Sequence, residues 1–596
     1  MAINHFSKYI VAAIGALLLH YDAVTQEKNM SEMWNGQATT KETGALRGKI
    51  FREGRYAMFI HFGFFSHLAN RWNGKTYYGI GEWLINKNMA GAPIDEYMAK
   101  ANEFNPKNFN ADSIARLAKD AGMKYIIITA KHHDGFAMFR SKATTYNIAD
   151  ATPFKRDVMK ELALACKKAG LGFGFYYSQY QDWTTPGGNG GPQKDKDGNA
   201  VDFGEYFYKR CLPEVEQLTT EYGPVALIWF DTPGDIEKKY VEKLVEVVHQ
   251  NQPAAFVSGR VGHGLGDYTT LGDMEVPKKN VPGLWESVDV TNDSWGYAWY
   301  DQNWKTPKTI LTNTLSTIAR GGNYMLNIGP DGNGLVPTQP AQALRSAGTW
   351  IKRYPQIVYS SGPSPWQHAL PWGDAVTKGN TISLLVYEWP ATGKLYLPGL
   401  KSAIKNIAIV NKGRRQPLTY EKGKNNWLAI RLPSKAPEPL VSVIEIHLQS
   451  APRASDVLGI DPQTNTTLDA LFAQANNLTK NDEHWMEKFG EWKHVDRLIN
   501  WKSNSSATWT VDVLKPGYYQ SHLNYKGKSR LVWRIAINTN RFVQNQQGAS
   551  AAYAWYPMGW LYFDRSGRYI LDVSLAEGDG SSTSLTALKL EPVVFE

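Results

Sequence analysis

The sequence predicts an α/β protein in which a (β/α)8-like barrel is followed by two all-β sandwich domains. Between residue 56 and about residue 330, short apolar runs alternate with segments of helical periodicity, which is the pattern of a parallel βα array. After residue 361, apolar and polar residues alternate instead, as they do in half-buried antiparallel strands. A length of 596 residues accommodates a barrel of about 250 residues together with further domains.

The first segment of the chain is typical of a secretory signal peptide. Lys8 precedes an apolar run from Tyr9 to Leu19, and small residues surround Ala23. The run is shorter than the roughly 20 apolar residues that span a membrane, so a membrane anchor is the weaker alternative. We therefore expect residues 1–25 to be a signal peptide and the protein to be exported, periplasmic or secreted, without integral membrane association.

The barrel is predicted over residues 26–355. Its strands are expected in the runs YAMFIHFG, KYIIITAKHHDGF, LGFGFYYS, VALIWFD and AAFVSGR, which are apolar enough for a sheet buried on both faces. Helical spacing follows in ADSIARLAKDAG, RDVMKELALACKKAG and YVEKLVEVVHQN. Gly170 stands where the cap of the second of these helices is expected, directly before a strand.

Polar side chains stand at the carboxyl ends of these predicted strands, which is where βα barrels carry their active sites. The residues concerned are His61, His132, His133, Asp134, Tyr177, Asp231 and Arg260. Asp231 ends the apolar run ALIWF, where an unpaired charge is costly. Asp231 therefore either caps the next turn or takes part in chemistry.

Two all-β domains are predicted after the barrel. Residues 361–450 contain TISLLVYEW, GKLYLPGL and SVIEIHLQ, and residues 451–596 contain ATWTVDVLKPGYYQSHLNYKG. Two roles are open for the second domain. It either binds carbohydrate through rings such as Trp485, Trp492, Trp501 and Trp555, or only braces the barrel.

Composition narrows the range of partners. The 21 Trp, 31 Tyr and 22 Phe residues suit stacking on sugar rings, although packing in the cores accounts for most of them. The net charge of +9 is spread along the chain, with no basic run longer than residues 412–415, so we expect no nucleic-acid partner. Cys166 and Cys211 occur without CxxC spacing, which predicts neither a disulfide framework nor structural zinc.

Carboxylates and histidines supply candidate chemistry. Asp231, together with Glu275 or Glu286 in the following loops, provides the two carboxyl groups that glycoside hydrolysis requires. His132 and His133 are adjacent at another strand end, where imidazoles can contact sugar hydroxyls. Structural histidines are the alternative, and we expect no metal site because no third ligand stands at a zinc-type spacing.

Seven motifs, taken in order, resemble the α-L-fucosidases of glycoside hydrolase family 29. They are MFIHFGFFS, GEWLIN, AKHHDGFAMF, GFYYSQYQDW, LIWFD, LWESVDVTNDSWGY and GGNYMLNIGP. The motifs span about residues 50 to 350, and the domain after residue 361 also resembles the family's second domain. Residues 451–596 lie outside the resemblance.

The resemblance implies a retaining exo-hydrolase that releases terminal L-fucose through a covalent glycosyl-enzyme intermediate and needs no cofactor. Asp231 matches the family's nucleophile. The residues implied to contact or surround the fucose are His61, Glu82, Trp83, His132, His133, Tyr177, Trp229, Arg260 and Trp295. Tyr176 competes with Tyr177, because neighbouring strand residues point to opposite sides.

The acid/base residue is less fixed by the resemblance, because family members use different loop carboxylates. Glu286 in LWES matches one motif of the family and is the preferred candidate. The other candidate lies in GDYTTLGDMEVP, where the family often has Thr-Pro-Glu and this chain has Leu-Gly-Asp. That departure makes Asp273 or Glu275 the counterpart, with Glu275 kept as the alternative acid/base.

The expected function is hydrolysis of terminal α-L-fucosyl residues on fucosylated oligosaccharides or glycoconjugates. One alternative is a catalytically silent fucose-binding protein, which the presence of Asp231 and both glutamates disfavours. Another is hydrolysis of α-L-galactosides, since an apolar wall rejects an added hydroxyl only by about a hundredfold. The sequence does not predict an oligomeric state.

Overall fold

The computed structural model describes residues 46–487, 490–538 and 541–594, and these form two compact units. The first unit consists of the described residues up to Pro277, of Val281–Ser360 and of Trp485–Lys493. The second consists of Lys278–Asn280, Ser361–His484 and the described residues from His494 onward. The predicted signal peptide, residues 1–25, lies outside the described residues.

Eight parallel strands form the centre of the first unit. They are β1 (Tyr56–Ile60), β2 (Tyr125–Lys131), β3 (Gly172–Tyr177), β4 (Leu227–Phe230), β5 (Phe256–Val257), β6 (Thr269–Asp273), β7 (Trp285–Val290) and β8 (Asn323–Ile328). Their order in the sheet is β5-β4-β3-β2-β1-β8-β7-β6, and an isolated parallel bridge between Ser258 and Tyr268 joins β5 to β6. The predicted barrel is confirmed, with its last three strands running through LGD, WESVDV and NYMLNI.

Helices follow most of the strands along the chain. They are α1 (Lys49–Gly54), α2 (Phe64–Leu68), α3 (Ile94–Ala99), α4 (Ala111–Asp120), α5 (Val158–Ala169), α6 (Phe203–Tyr206), α7 (Leu212–Thr220), α8 (Lys238–Asn251), α9 (Pro307–Ala319), α10 (Thr338–Arg353) and α11 (Pro355–Tyr359). Short 3-10 turns at Gly81–Trp83 and Gly259–Val261 carry further polar residues.

Helix α5 illustrates how local sequence sets these elements. The Asp157 side chain accepts the Lys160 N–H at the start of the helix, which satisfies one of the free N–H groups of the first turn. Gly170 ends the helix with φ of 71°, and its N–H reaches the carbonyl groups of Cys166 and Lys167. Glycine adopts this left-handed conformation without steric cost, so the predicted cap is confirmed.

The second unit is built from antiparallel sheets, apart from one parallel strand pair. Its strands are β9 (Gly373–Lys378), β10 (Thr381–Val386), β11 (Lys394–Leu397), β12 (Ile404–Asn411), β13 (Arg414–Pro417), β14 (Tyr420–Lys422), β15 (Leu428–Arg431), β16 (Ser442–Leu448), β17 (Leu458–Ile460), β18 (Thr466–Asp469), β19 (Gln474–Asn476), β20 (Thr479–Met486), β21 (Trp492–Ile499), β22 (Ser506–Val513), β23 (Gly517–Lys526), β24 (Leu531–Ile537), β25 (Arg541–Gln547), β26 (Ala554–Phe563), β27 (Gly567–Glu577) and β28 (Ser584–Pro592). Strands β17 and β22 form the parallel pair.

Two hydrophobic clusters divide these strands into two sandwiches. One cluster lies within residues 366–448, between the sheets β9-β10-β16-β12-β13 and β11-β15-β14. The other lies within residues 458–590, between the sheets β17-β22-β27-β24-β25 and β20-β21-β28-β23-β26. The predicted pair of all-β sandwiches is therefore confirmed, and alternating inward residues fill each core.

The aromatic residues of the last domain differ in their surroundings. Trp501 is buried in the hydrophobic cluster, whereas Trp555 is 42% exposed and shares strand β26 with the exposed Trp560 and Tyr562. Trp485 and Trp492 belong to the first unit. Carbohydrate binding by this domain stays a prediction.

Cys166 and Cys211 are both buried and unpaired. No helix within the described residues is long and apolar enough to cross a membrane.

Candidate active site

A pocket lies at the carboxyl ends of the barrel strands and collects most of the predicted site residues. Asp231 lines it directly after β4, His132 and His133 directly after β2, and His61 directly after β1. The other predicted residues that line it are Glu82, Trp83, Trp229, Arg260 and Trp295. Sequence positions 61 to 295 therefore meet at one end of the barrel, as the strand-end pattern predicts.

Asp231 has three polar neighbours in this pocket, and two of them, Arg260 and Tyr176, donate hydrogen bonds to it. Arg260 donates from Nη1 to its Oδ1 at 3.1 Å, Tyr176 donates its hydroxyl to Oδ2 at 3.0 Å, and His133 Nε2 lies 3.6 Å from Oδ2. Burial acts to raise the pKa of Asp231, but the Arg260 guanidinium and the hydrogen bonds from Arg260 and Tyr176 are among the interactions that together hold the pKa below its usual value. Asp231 is therefore a carboxylate, aimed into the pocket by fixed donors.

The backbone turns sharply after two pocket carboxylates. Thr232 follows Asp231 with φ of 49°, and Met274 follows Asp273 with φ of 60°. A left-handed conformation is uncommon for residues with a side chain, most of all for a β-branched one such as threonine. Strained backbone of this kind concentrates at functional sites, where surrounding contacts maintain it.

The three histidines are neutral, and two of them, His61 and His133, have a hydrogen-bonded Nδ1. Burial lowers the pKa of His61 and of His133 to about 4, and it lowers the pKa of His132 well below its usual value. Asn327 Oδ1 can only accept, so His61 Nδ1, at 2.8 Å, is the donor and its Nε2 is left as an acceptor. Neutral imidazoles in these tautomers can accept hydrogen bonds from sugar hydroxyls.

His133 has the same arrangement through a different partner. Its Nδ1 lies 2.6 Å from Ser178 Oγ, and that hydroxyl donates its hydrogen to the Gln181 carbonyl at 2.7 Å. The Nδ1 atom must therefore carry the hydrogen, which leaves Nε2 as an acceptor beside Asp231. A hydroxyl group of a bound ligand could donate its hydrogen to one of these two acceptors.

Buried polar atoms of pocket residues that have no hydrogen-bond partner among the described residues include Oε2 of Glu82 and Nδ1 of His132. Burial raises the pKa of Glu82 to about 7, while the Gly296 N–H binds its Oε1. Unpaired buried polar atoms are costly, and their position beside the pocket indicates a polar ligand.

The structure corrects the tyrosine prediction. Tyr176 lines the pocket and binds Asp231, whereas Tyr177 points to the other side of β3 and donates its hydroxyl to Glu214 Oε2 at 2.7 Å. The reason is the alternation of side chains along a strand, which sequence alone does not anchor. Tyr177 is therefore not a residue of this pocket.

The two glutamates predicted as candidate acid/base residues both lie outside the pocket. Glu286 is fully buried behind Trp229, where its Oε1 accepts the indole N–H at 2.6 Å and the Thr270 hydroxyl at 3.1 Å. It does not line the pocket, although burial raises its pKa to about 7. Glu275 is also outside the pocket, and its Oε2 accepts the Gly272 N–H at 2.9 Å.

Asp273 is the loop carboxylate that lines the pocket together with Asp231. Arg260 connects the two, because its Nη2 donates to Asp273 Oδ1 at 2.5 Å and its Nη1 donates to Asp231. Asp231 and Asp273 therefore bind the same guanidinium and line the same pocket, whereas Glu286 and Glu275 do not line it. The geometry therefore favours Asp273 over Glu286 and Glu275 as partner of Asp231.

Several residues that support the site were not singled out from the sequence. Asn327 orients both His61 and Trp295, since its Nδ2 donates to the Trp295 carbonyl at 2.6 Å. Gln179 connects two loops, accepting the Asp231 N–H at 3.0 Å and donating to the Arg260 carbonyl at 3.0 Å. Their only sequence signal is their place in the motifs LNIGP and YYSQY.

The pocket combines a carboxylate paired with an arginine, neutral histidines and aromatic side chains. These groups suit the binding and cleavage of a sugar. Within the described part of the chain, no group of three or more His, Cys, Asp or Glu side chains could hold a metal ion.

Comparison with known proteins identifies relatives. The family model described as Alpha-L-fucosidase matches residues 22–356. The plasma alpha-L-fucosidase of Rattus norvegicus is 27% identical over 408 residues, covering 64% of this chain and 86% of the relative. The tissue alpha-L-fucosidase of Homo sapiens is 27% identical over 413 residues, covering 65% and 85%.

Two solved structures share the fold over different lengths. The alpha-L-fucosidase from Vibrio sp. strain EJY3 is 26% identical with a TM-score of 0.74, covering 94% of this chain and 99% of its own. The alpha-L-fucosidase isoenzyme 1 from Paenibacillus thiaminolyticus is 28% identical with a TM-score of 0.59, covering 67% and 98%. The first similarity therefore includes the β domains as well as the barrel.

Proposed function

Since the chain belongs to the alpha-L-fucosidase family of glycoside hydrolases, we propose that it releases terminal L-fucose from fucosylated glycans with retention of configuration. The observation that carries the proposal is the pair of carboxyl groups, Asp231 and Asp273, which share Arg260 at the end of the barrel. One of them attacks the sugar and the other transfers a proton.

In the proposed first step, a carboxylate oxygen of Asp231 attacks the anomeric carbon and forms an ester bond. The bond from that carbon to the leaving oxygen breaks, and Asp273 gives its proton to this oxygen. Asp231 keeps its negative charge because Arg260 and Tyr176 both donate hydrogen bonds to it.

In the proposed second step, Asp273 takes a proton from a water molecule as that water attacks the anomeric carbon. The ester bond to Asp231 breaks, fucose leaves with its original configuration, and both carboxyl groups return to their initial states. His61, His132, His133 and Glu82 hold the sugar hydroxyls in this proposal. Trp295, which packs 5.0 Å from the His61 ring, covers an apolar part of the sugar.

The substrate is tested by comparing two glycosides that differ at one position. We expect the full chain to hydrolyse 4-nitrophenyl α-L-fucoside with a kcat/KM roughly a hundredfold above that for 4-nitrophenyl α-L-galactoside, because in this proposal the apolar ring of Trp295 covers the C6 methyl group. Rates of nitrophenol release measure both constants. Equal constants would replace the fucoside specificity by the L-galactoside alternative, and binding of fucose without hydrolysis would contradict the catalytic role.

Replacing Arg260 by methionine is expected to shift the acidic limb of the kcat/KM profile to higher pH. Arg260 lowers the pKa of Asp231, whereas burial raises it, so loss of the guanidinium removes the largest of the interactions that oppose the effect of burial. Asp231 must be ionised to attack, and the limb should therefore move upward by about one to three pH units. The Arg260→Lys variant retains a positive charge and should shift less. If the acidic limb of the kcat/KM profile stays at the same pH in Arg260→Met, Asp231 is not the group whose ionisation sets this limb.

A further inference from the structure

A tryptophan from far along the chain forms part of the pocket wall. Trp492 stands at the start of β21, and the segment Trp485–Lys493 that contains it belongs to the catalytic unit. Trp492 lines the same pocket as Asp231 and is 7% exposed. The family model ends at residue 356, so this wall is supplied by chain outside the matched region.

Trp492 lies on the side of the pocket where Asp273 is found. Its backbone N–H lies 3.4 Å from the sulfur atom of Met274, which is the residue that follows Asp273. Gly490 approaches Ile80 so closely that an added Cβ would lie 3.3 Å from Ile80 Cγ1. Ile80 also lines the pocket, so the segment approaches one pocket residue, Ile80, and contacts the residue that follows another, Asp273.

The chemistry of the proposed reaction determines what occupies this side. The residue that protonates the leaving oxygen must lie within hydrogen-bond reach of it, so the group attached to that oxygen extends past Asp273. The residues beside Asp273 on the pocket wall are therefore the ones that this group meets. Trp492 presents an aromatic ring there, and Ile80 presents an apolar side chain.

We propose that Trp492 forms the subsite for the leaving group, where its ring packs against a sugar or aryl ring attached to the fucose. The proposal rests on the proposed function, and it adds a specificity residue from the C-terminal part of the chain. A ring held against another ring is worth about tenfold in binding. The contact raises kcat/KM for substrates that have a ring after the scissile bond. It does not change kcat/KM for substrates without such a ring.

The test compares two substrates with the full chain and its Trp492→Ala variant. α-L-Fucosyl fluoride has no ring after the scissile bond, whereas 4-nitrophenyl α-L-fucoside has one. We expect Trp492→Ala to lower the ratio of kcat/KM for the nitrophenyl substrate to kcat/KM for the fluoride about tenfold. Trp492→Phe retains a ring and should lower the ratio less, and thermal melting of each variant checks that it is folded.

Trp485→Ala is the matched control, because Trp485 lies in the same segment but does not line the pocket, and its indole N–H lies 3.3 Å from Glu487 Oε1. In Trp485→Ala, the ratio of kcat/KM for the nitrophenyl substrate to kcat/KM for the fluoride should equal that of the unmodified chain. An equal loss on both substrates in Trp492→Ala, or no loss on either, would overturn the subsite. Failure of the unmodified chain to hydrolyse the fluoride would instead overturn the proposed function, and the subsite with it.

Discussion

Replacing Asp231 by alanine is expected to lower kcat on 4-nitrophenyl α-L-fucoside by at least on the order of 10^4-fold. The carboxylate forms the covalent bond to the sugar in the proposed mechanism, and alanine provides no nucleophile in its place. The fold should persist, because Arg260 keeps its ion pair with Asp273 in the variant and no buried charge is left without a partner. Initial rates and thermal melting measure the two effects.

Azide distinguishes loss of the nucleophile from general damage. In Asp231→Ala the small anion can enter the vacated volume and attack the anomeric carbon directly, which yields β-L-fucosyl azide and restores part of the rate. Asp231→Asn fills that volume and should respond less. A rate close to that of the unmodified chain in either variant would show that another group attacks the sugar.

Replacing Asp273 by alanine is expected to produce a loss that depends on the leaving group. Proton transfer contributes about 10²- to 10⁴-fold, so hydrolysis of a fucosyl disaccharide should fall by that factor. Nitrophenolate leaves with little help from an acid, so the first step on the nitrophenyl substrate should fall much less. Azide should now attack the glycosyl-enzyme from the face opposite Asp231 and yield α-L-fucosyl azide.

Glu286→Gln is the control for this assignment. Glu286 accepts hydrogen bonds from Trp229 and Thr270 away from the pocket, so its replacement should change both substrates by the same factor. A leaving-group dependence in Glu286→Gln, combined with its absence in Asp273→Ala, would return the acid/base role to the glutamate that the sequence motif favours.

The fold could be predicted from the sequence because its signals are local. Buried parallel strands such as VALIWF, helix caps such as Asp157 and Gly170, and alternating strands after residue 361 each act over a few residues. From the sequence alone, the strand-end rule predicts that five polar residues meet in one pocket, namely Asp231, His61, His132, His133 and Arg260. Export through residues 1–25 stays a prediction.

Parts of the site depend on register and distance, which sequence does not supply. Tyr176 and Tyr177 differ only in which side of β3 they face, and a shift of one residue exchanges them. Glu286 carries the better motif, yet it lies in strand β7, where its side chain binds Trp229 behind the pocket. Asp273 was one of two candidates in a loop that departs from the family pattern.

The place of Trp492 in the pocket could not be predicted from the sequence. More than 200 residues of chain separate it from the Asp231 and Asp273 loops, and nothing in its local sequence distinguishes it from Trp485 or Trp501. Only the structure separates the three, since Trp501 lies in a hydrophobic core and Trp485 lies outside the pocket. Contacts made by distant chain segments are fixed by tertiary packing, which local patterns do not encode.

The central claim is that Asp231 forms a covalent bond to the sugar, and trapping that intermediate tests it most directly. In a 2-deoxy-2-fluoro-L-fucosyl fluoride the fluorine at C2 slows both steps, whereas the fluoride leaving group keeps the first step fast enough for the glycosyl-enzyme to accumulate. Mass spectrometry of the digested protein should find one fluorofucosyl group on the peptide that contains Asp231. An adduct on Asp273, on Glu286 or on another residue would contradict the account, as would inactivation without any adduct.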